Sequence, residues 1–113
     1  MRIKLKKIAH TRSGDKGPNS NVGLIFRNKE IYKWAMDNIT ENHVKRHFRS
    51  IVKGNVIRYD LPNLLAFNFI LEDSLGGGGS ESLLNDAQGK THGQALLMME
   101  VDIPIDLEKY IND

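Results

Sequence analysis

The chain contains no cysteine in its 113 residues, which excludes disulfides and thiolate metal sites and agrees with a reducing compartment. Long apolar stretches are missing as well. The longest run, Ala95 to Met99, falls far short of the ~20 residues that a membrane-spanning helix needs. The first ten residues, MRIKLKKIAH, alternate charge with apolar groups and lack the apolar core of a signal peptide. These absences lead us to expect a cytoplasmic protein with no membrane partner. Aromatics make up only 7% of the chain. Tyr32, Trp34 and Phe48 fall at apolar helix positions and do not interleave with basic residues as a base-stacking surface requires, so no nucleic-acid partner is expected.

Charge of one sign is scarce in each half. Residues 1–58 hold 14 Lys/Arg against 4 Asp/Glu, and residues 59–113 hold 2 against 10, an asymmetry that the net charge of +2 conceals. If the halves interleave in one fold, their charges pair or solvate locally. If they form separate faces, self-association or an anionic ligand is favoured, and with an exposed sheet edge this predicts a homo-oligomer.

What is present suits one domain, since a chain of this length buries roughly 65% of its unfolded surface. Alternation of Ile3 and Leu5 with lysines predicts a strand near residues 2–10. The turn formers RSGDKGPNS, residues 12–20, predict a loop, and residues 21–26 a second strand, the two making a wide hairpin. Ile31, Trp34, Ala35 and Ile39 form one helical stripe. Thr40 is a plausible N-cap for a second helix that buries Val44, Phe48, Ile51 and Val52 and stops at Gly54. Strands are expected over 55–60, broken by Pro62, and over 64–71, the latter buried on both faces. A helix over 87–97 capped by Asp86, and a strand alternating Met99, Val101 and Ile103 before Pro104, complete the chain. The order β-β-α-α-β-β-α-β means α+β.

Three segments carry candidate chemistry. In Ser13-Gly14-Asp15-Lys16-Gly17, with Asn19 and Asn21 following, the glycines permit a concavity of backbone N–H groups that holds an anion. Lys16 adds charge, and Asp15 or His10 is the candidate proton carrier. The alternative is a tight turn whose side chains satisfy local backbone groups. Gly76, Gly77, Gly78 and Gly79 with Ser80 have the composition of a flexible linker, yet four glycines also suit close approach to a ligand or a mobile flap. Asp86-Ala-Gln88-Gly89-Lys90-Thr91 imitates the end of a phosphate-binding P-loop, but Leu84 stands where that motif wants glycine. Lys90 remains a candidate anion ligand beside the alternative of a solvated lysine. His43 and His47 sit four apart without a third ligand nearby, so no metal is expected. His92 borders the third segment and is, like His10, a candidate proton carrier beside the alternative of a hydrogen-bonding histidine. Asn63 and Asn68 border or interrupt an apolar strand, where a buried amide needs partners.

Taken together, residues 12–23 (RSGDKGPNSNVG), 59–69 (YDLPNLLAFNF) and 75–97 (LGGGGSESLLNDAQGKTHGQALL) resemble the AtuA-like (acyclic terpene utilisation) ferredoxin-fold domain. That family's pattern reads SGDKG–N–NIG, Y-LPN–ALNF and LGGGG–S-DAQGK–G-ALL in this order. Departures are mild: Pro18 for a small polar residue, Val22 for Ile and Phe67 for Leu. The resemblance implies a ferredoxin-like sandwich, with an antiparallel or mixed sheet and helices on one face. It also implies a place in terpenoid and branched acyl-CoA breakdown, either as the C-terminal part of a larger protein or as a small separate chain beside a larger AtuA-type partner. The family implies no reaction, no catalytic residues and no cofactor. The expected function is a ligand-binding or accessory module whose loops hold an anionic small molecule such as a CoA thioester. A small hydratase or hydrolase, with Asp15 or His10 as base and Lys16 or Lys90 at an oxyanion, and a purely structural interaction domain are the other readings. The apolar tail Val101 to Ile111 is expected either to form the partner patch or to pack back on its own core.

Overall fold

The computed structural model describes residues 1–16, 19–49, 52–73 and 92–111. The N-terminal strand is not continuous. β1 (Arg2–Lys4) gives way to a 3₁₀ turn (Leu5–Lys7), and β2 (Ala9–Lys16) follows. The break occurs because Leu5 and Ile8 are both driven into the core, at 0% and 1% exposure, which no single strand periodicity allows. β1 therefore leaves the main sheet and pairs antiparallel with β6 (Glu100–Asp102), Ile3 opposite Val101.

The main sheet has the order β2-β3-β5-β4, with β3 (Asn19–Phe26), β4 (Val56–Leu61) and β5 (Ala66–Leu71). Every neighbouring pair is antiparallel, so β3 and β4 run parallel with β5 inserted between them. The chain passes from β3 to β4 through α1 (Lys29–Asn38) and α2 (Glu41–His47), which is the split β-α-β unit of a ferredoxin-like sandwich. Residues 92–97 form a further helical segment, α3. The fold is α+β.

The expected loop over 12–20 is instead paired strand. Lys16 lies opposite Asn19 and Gly14 opposite Asn21, so the hairpin is tight and only positions 17 and 18 lie between the strands. Turn-forming residues were overridden by the ladder between β2 and β3. β5 is central in the sheet, yet it is packed in full on one face only: Phe67, Phe69 and Leu71 are buried and Asn68 and Ile70 half-buried. Val22, Leu24 and Phe26 share that packed face by register. The open face carries Tyr59 at 54% and Leu61 at 38% exposure.

Both α1 and α2 start on side-chain caps. Asn28 Oδ1 accepts from the Glu30 and Ile31 amides, and Thr40 Oγ1 accepts from the His43 amide at 3.3 Å, each satisfying amides that a helix start leaves orphaned. α2 ends at His47 with Phe48 as cap, well before the expected stop. Gly54 serves β4 instead: its amide donates to Glu72 O at 3.0 Å, and a Cβ there would lie 2.9 Å from Glu72 Cβ. The predicted Ile51, residues 87–91 and the Asp86 cap lie outside the described residues. The tail packs back: Ile103 is buried and Val101, Leu107, Tyr110 and Ile111 lie against the core, while Ile105 alone among its large apolar residues stays wide open at 77%. The charge halves meet where β1 joins β6, with Arg2 Nε 2.9 Å from Glu100 Oε2.

Candidate functional site at the hairpin end

Register decides where the first motif points. Thr11, Ser13 and Asp15 pair with Leu24, Val22 and Ser20, whereas Arg12, Gly14 and Lys16 pair with Gly23, Asn21 and Asn19. Since paired residues in an antiparallel ladder point to the same side, Ser13 lies on the helix-covered face with Val22 and Ser20, and Gly14 lies on the open face with Asn21. A Cβ on Gly14 would meet Asn21 Oδ1 at 3.0 Å, so this glycine makes room for a cross-strand amide. Residues 13–16 of the motif are thus paired strand, shared between the two faces of a hairpin.

α3 closes on the packed face of this hairpin. Gly93 is buried, and a Cβ there would come within 2.9 Å of Thr11 Oγ1 and 3.0 Å of Ser13 Oγ. Beside it, His92 is 3% exposed, and its Nδ1 lies 2.9 Å from Ser20 Oγ. The Phe48 ring stands 5.7 Å from the imidazole, and burial pushes the His92 pKa below its ordinary value. The neutral ring is therefore the folded form. Ser20 is only 1% exposed, so this pair joins α3 to β3 in the interior and presents no nucleophile to solvent. The sequence did not point to Ser20. Gly93 is legible in the sequence, for a glycine inside a helical pattern marks close packing.

Asp73, before the intervening segment, is held too. Asn19 Oδ1 accepts from the Asp73 amide at 2.8 Å. The chain therefore leaves the hairpin tip at Asp73 and returns to it at His92. Gly76, Gly77, Gly78, Gly79, Asp86, Gln88, Gly89 and Lys90 belong to the intervening segment, and with Gly17 they lie outside the described residues.

The second motif does not join them as a unit. Asn63 is exposed in the 3₁₀ turn Pro62–Leu64, at the end of β5 away from Asp73, with a six-residue strand of about 20 Å between. Asn68 sits mid-sheet opposite Gly23 and Tyr59. His10, opposite Ile25, is exposed and lies six residues along β2 from Lys16, about 20 Å of backbone. His43 Nδ1 is engaged at Thr40 and His47 Nε2 donates to Ala95 O at 2.8 Å. Among the described residues no three His, Cys, Asp or Glu side chains gather to hold a metal, and no helix is long and apolar enough to cross a membrane.

No functionally curated protein and no solved structure matches the chain. A family model does: that of the AtuA ferredoxin-like domain, over residues 3–102, a span that takes in the hairpin, both anchors of the intervening segment and β6. The chain belongs to the AtuA ferredoxin-like domain family.

Proposed function

We propose that this chain is a binding or accessory module of acyl-CoA and terpenoid catabolism, and that its hairpin end holds an anionic small molecule of the CoA thioester kind. The observation that supports this is the double anchoring at the hairpin tip. Asp73 is tied to Asn19 and His92 to Ser20, so the segment bearing the tetraglycine and Lys90 starts and finishes beside Asp15 and Lys16. Backbone amides freed by glycine, together with lysine, suit an anion. Among the described residues at this end the one buried titratable group, His92, is held neutral and closed off from solvent, which favours binding over catalysis.

Calorimetric titration of the chain with isovaleryl-CoA tests the reading. The expected result is saturable binding that Lys16→Gln and Lys90→Gln each weaken roughly tenfold, as loss of a charge-assisted contact does. Absence of heat at millimolar ligand sinks it. Turnover of the thioester by the isolated chain replaces it with the enzyme reading. A larger AtuA-type partner and a cytoplasmic setting belong to the same proposal, and co-purification of a companion protein from the native cells tests them.

A further inference from the structure

A cleft lies away from the hairpin tip, between α1, α2 and β6. It encloses about 620 Å³, within the range of small-molecule sites. Its lining includes Trp34, His43, Arg46, His47, Met98 and Glu100. Trp34 packs one side against the core and leaves the rest of its indole half-open, and Met98 is 46% exposed. These two give the cleft an apolar wall.

The charges around that wall are unequal in their partners. Glu100 is held by Arg2 at 2.9 Å and Asp102 by the amino terminus at 3.0 Å. Arg46 is exposed, and its guanidinium makes no hydrogen bond or ion pair with any described residue. One turn earlier on the same helix face is His43. Its Nδ1 accepts from the Thr40 amide at 3.4 Å, which in the neutral ring leaves the proton on Nε2. The His43 Nε2–H is thus a donor beside Arg46. His47 Nε2 is spent on Ala95 O.

A guanidinium with no partner among the described residues, a neighbouring N–H donor and an indole wall have complementary chemistry to one class of ligand. A carboxylate accepts from both donors, and an apolar body covers the exposed indole and thioether. We propose that this cleft binds a small organic carboxylate, with its head on Arg46 and His43 and its body against Trp34 and Met98. The site is separate from the hairpin end and stands whether or not that end binds an anion.

Trp34 is the single tryptophan of the chain, so its emission reports on this cleft. The probe is octanoate, with octanamide as its neutral isostere and acetate as the head alone. The expected result is a saturable change in Trp34 emission with octanoate, and half-saturation roughly tenfold higher both for octanamide and for octanoate with Arg46→Gln. Lys45→Gln, on the same helix but outside the lining, leaves the octanoate value unchanged. Should Arg46→Gln fail to fold, shifts of the Trp34 and His43 ring resonances in the unaltered chain give the same reading. No saturable change, equal binding of acid and amide, or an unaltered half-saturation in folded Arg46→Gln overturns the proposal. So does an octanoate response that follows Lys16→Gln, which assigns the ligand to the hairpin end.

Discussion

Ser20 Oγ and His92 Nδ1, separated by 72 positions in the chain, meet at 2.9 Å in the interior. The contact ties α3 to the sheet, while burial keeps the imidazole neutral. Ser20→Ala leaves the Nδ1 position without that partner and is expected to cost about 1–3 kcal/mol, the range for stranding a buried polar group. Urea denaturation with an unchanged slope checks it, and a loss within error of zero refutes the tether.

The same imidazole gives stability a pH dependence whose sign follows from burial. Unfolded, His92 protonates near 6.5; folded, burial holds its pKa lower. Between those two values the unfolded state binds more protons, so stability rises with pH there. It is constant above about 6.5 and is lost as pH falls toward the depressed folded value. The unfolding midpoint of the wild type relative to His92→Gln is expected to drop from about pH 7.5 to about pH 5.5. Groups common to both proteins cancel in that difference, and a flat difference curve contradicts the assignment.

Gly93→Ala reverses the usual helical rule. In an exposed helix the change stabilises by about 1 kcal/mol. Here the new methyl meets Thr11 Oγ1 at 2.9 Å and Ser13 Oγ at 3.0 Å, and overpacking is expected to destabilise by about 1–3 kcal/mol. Thr11→Ala in the same chain should recover part of that loss, measured as a coupling energy in a double-mutant cycle. Simple additivity of the two changes argues that α3 is not seated on β2.

Tyr32 is the case where removing a polar group should not hurt. It is 3% exposed, and its hydroxyl has no hydrogen-bond partner among the described residues. Burial raises its pKa first, Asp60 adds to the rise and Arg58 opposes it. Its ring packs 5.2 Å from Phe67 and 6.1 Å from Phe26, contacts that phenylalanine keeps. Tyr32→Phe is expected to be neutral or stabilising by up to about 1 kcal/mol. A thermal midpoint lowered by several degrees would falsify this.

Arg58 joins the α1–α2 corner to β4. Its guanidinium donates to Met36 O at 3.0 Å and Ile39 O at 2.9 Å, lies 4.4 Å over the Phe67 ring, and pairs with Asp60 at 2.8 Å. Arg58→Met keeps the stem and strands two carbonyls, an expected loss of about 2–4 kcal/mol. Asp60→Asn removes only the partly exposed ion pair, expected to cost under about 1 kcal/mol. Equal losses in the two variants would assign the stabilisation to the ion pair and not to the carbonyl contacts.

Local chemistry alone determined a good part of this protein. The 3.6-residue stripe through Ile31 and Ala35, the Thr40 cap and Pro62 as a strand breaker each act within one turn or one strand, so the sequence carries them whole. The three segments 12–23, 59–69 and 75–97, in their order, were enough to identify the family. Tertiary structure decided the rest. RSGDKGPNS has the residues of a loop, and it became a two-stranded ladder because β3 lay alongside to pair with it. The β1–β6 pairing, the burial of Leu5 and the return of the tail to the core depend on partners about a hundred positions away, which no local window contains. The Ser20–His92 contact and the exposure of Arg46 beside the cleft depend on which surfaces remain once α3 and β6 have docked. Burial and pairing are properties of the packed chain, and they select function-bearing groups after local propensity has been satisfied.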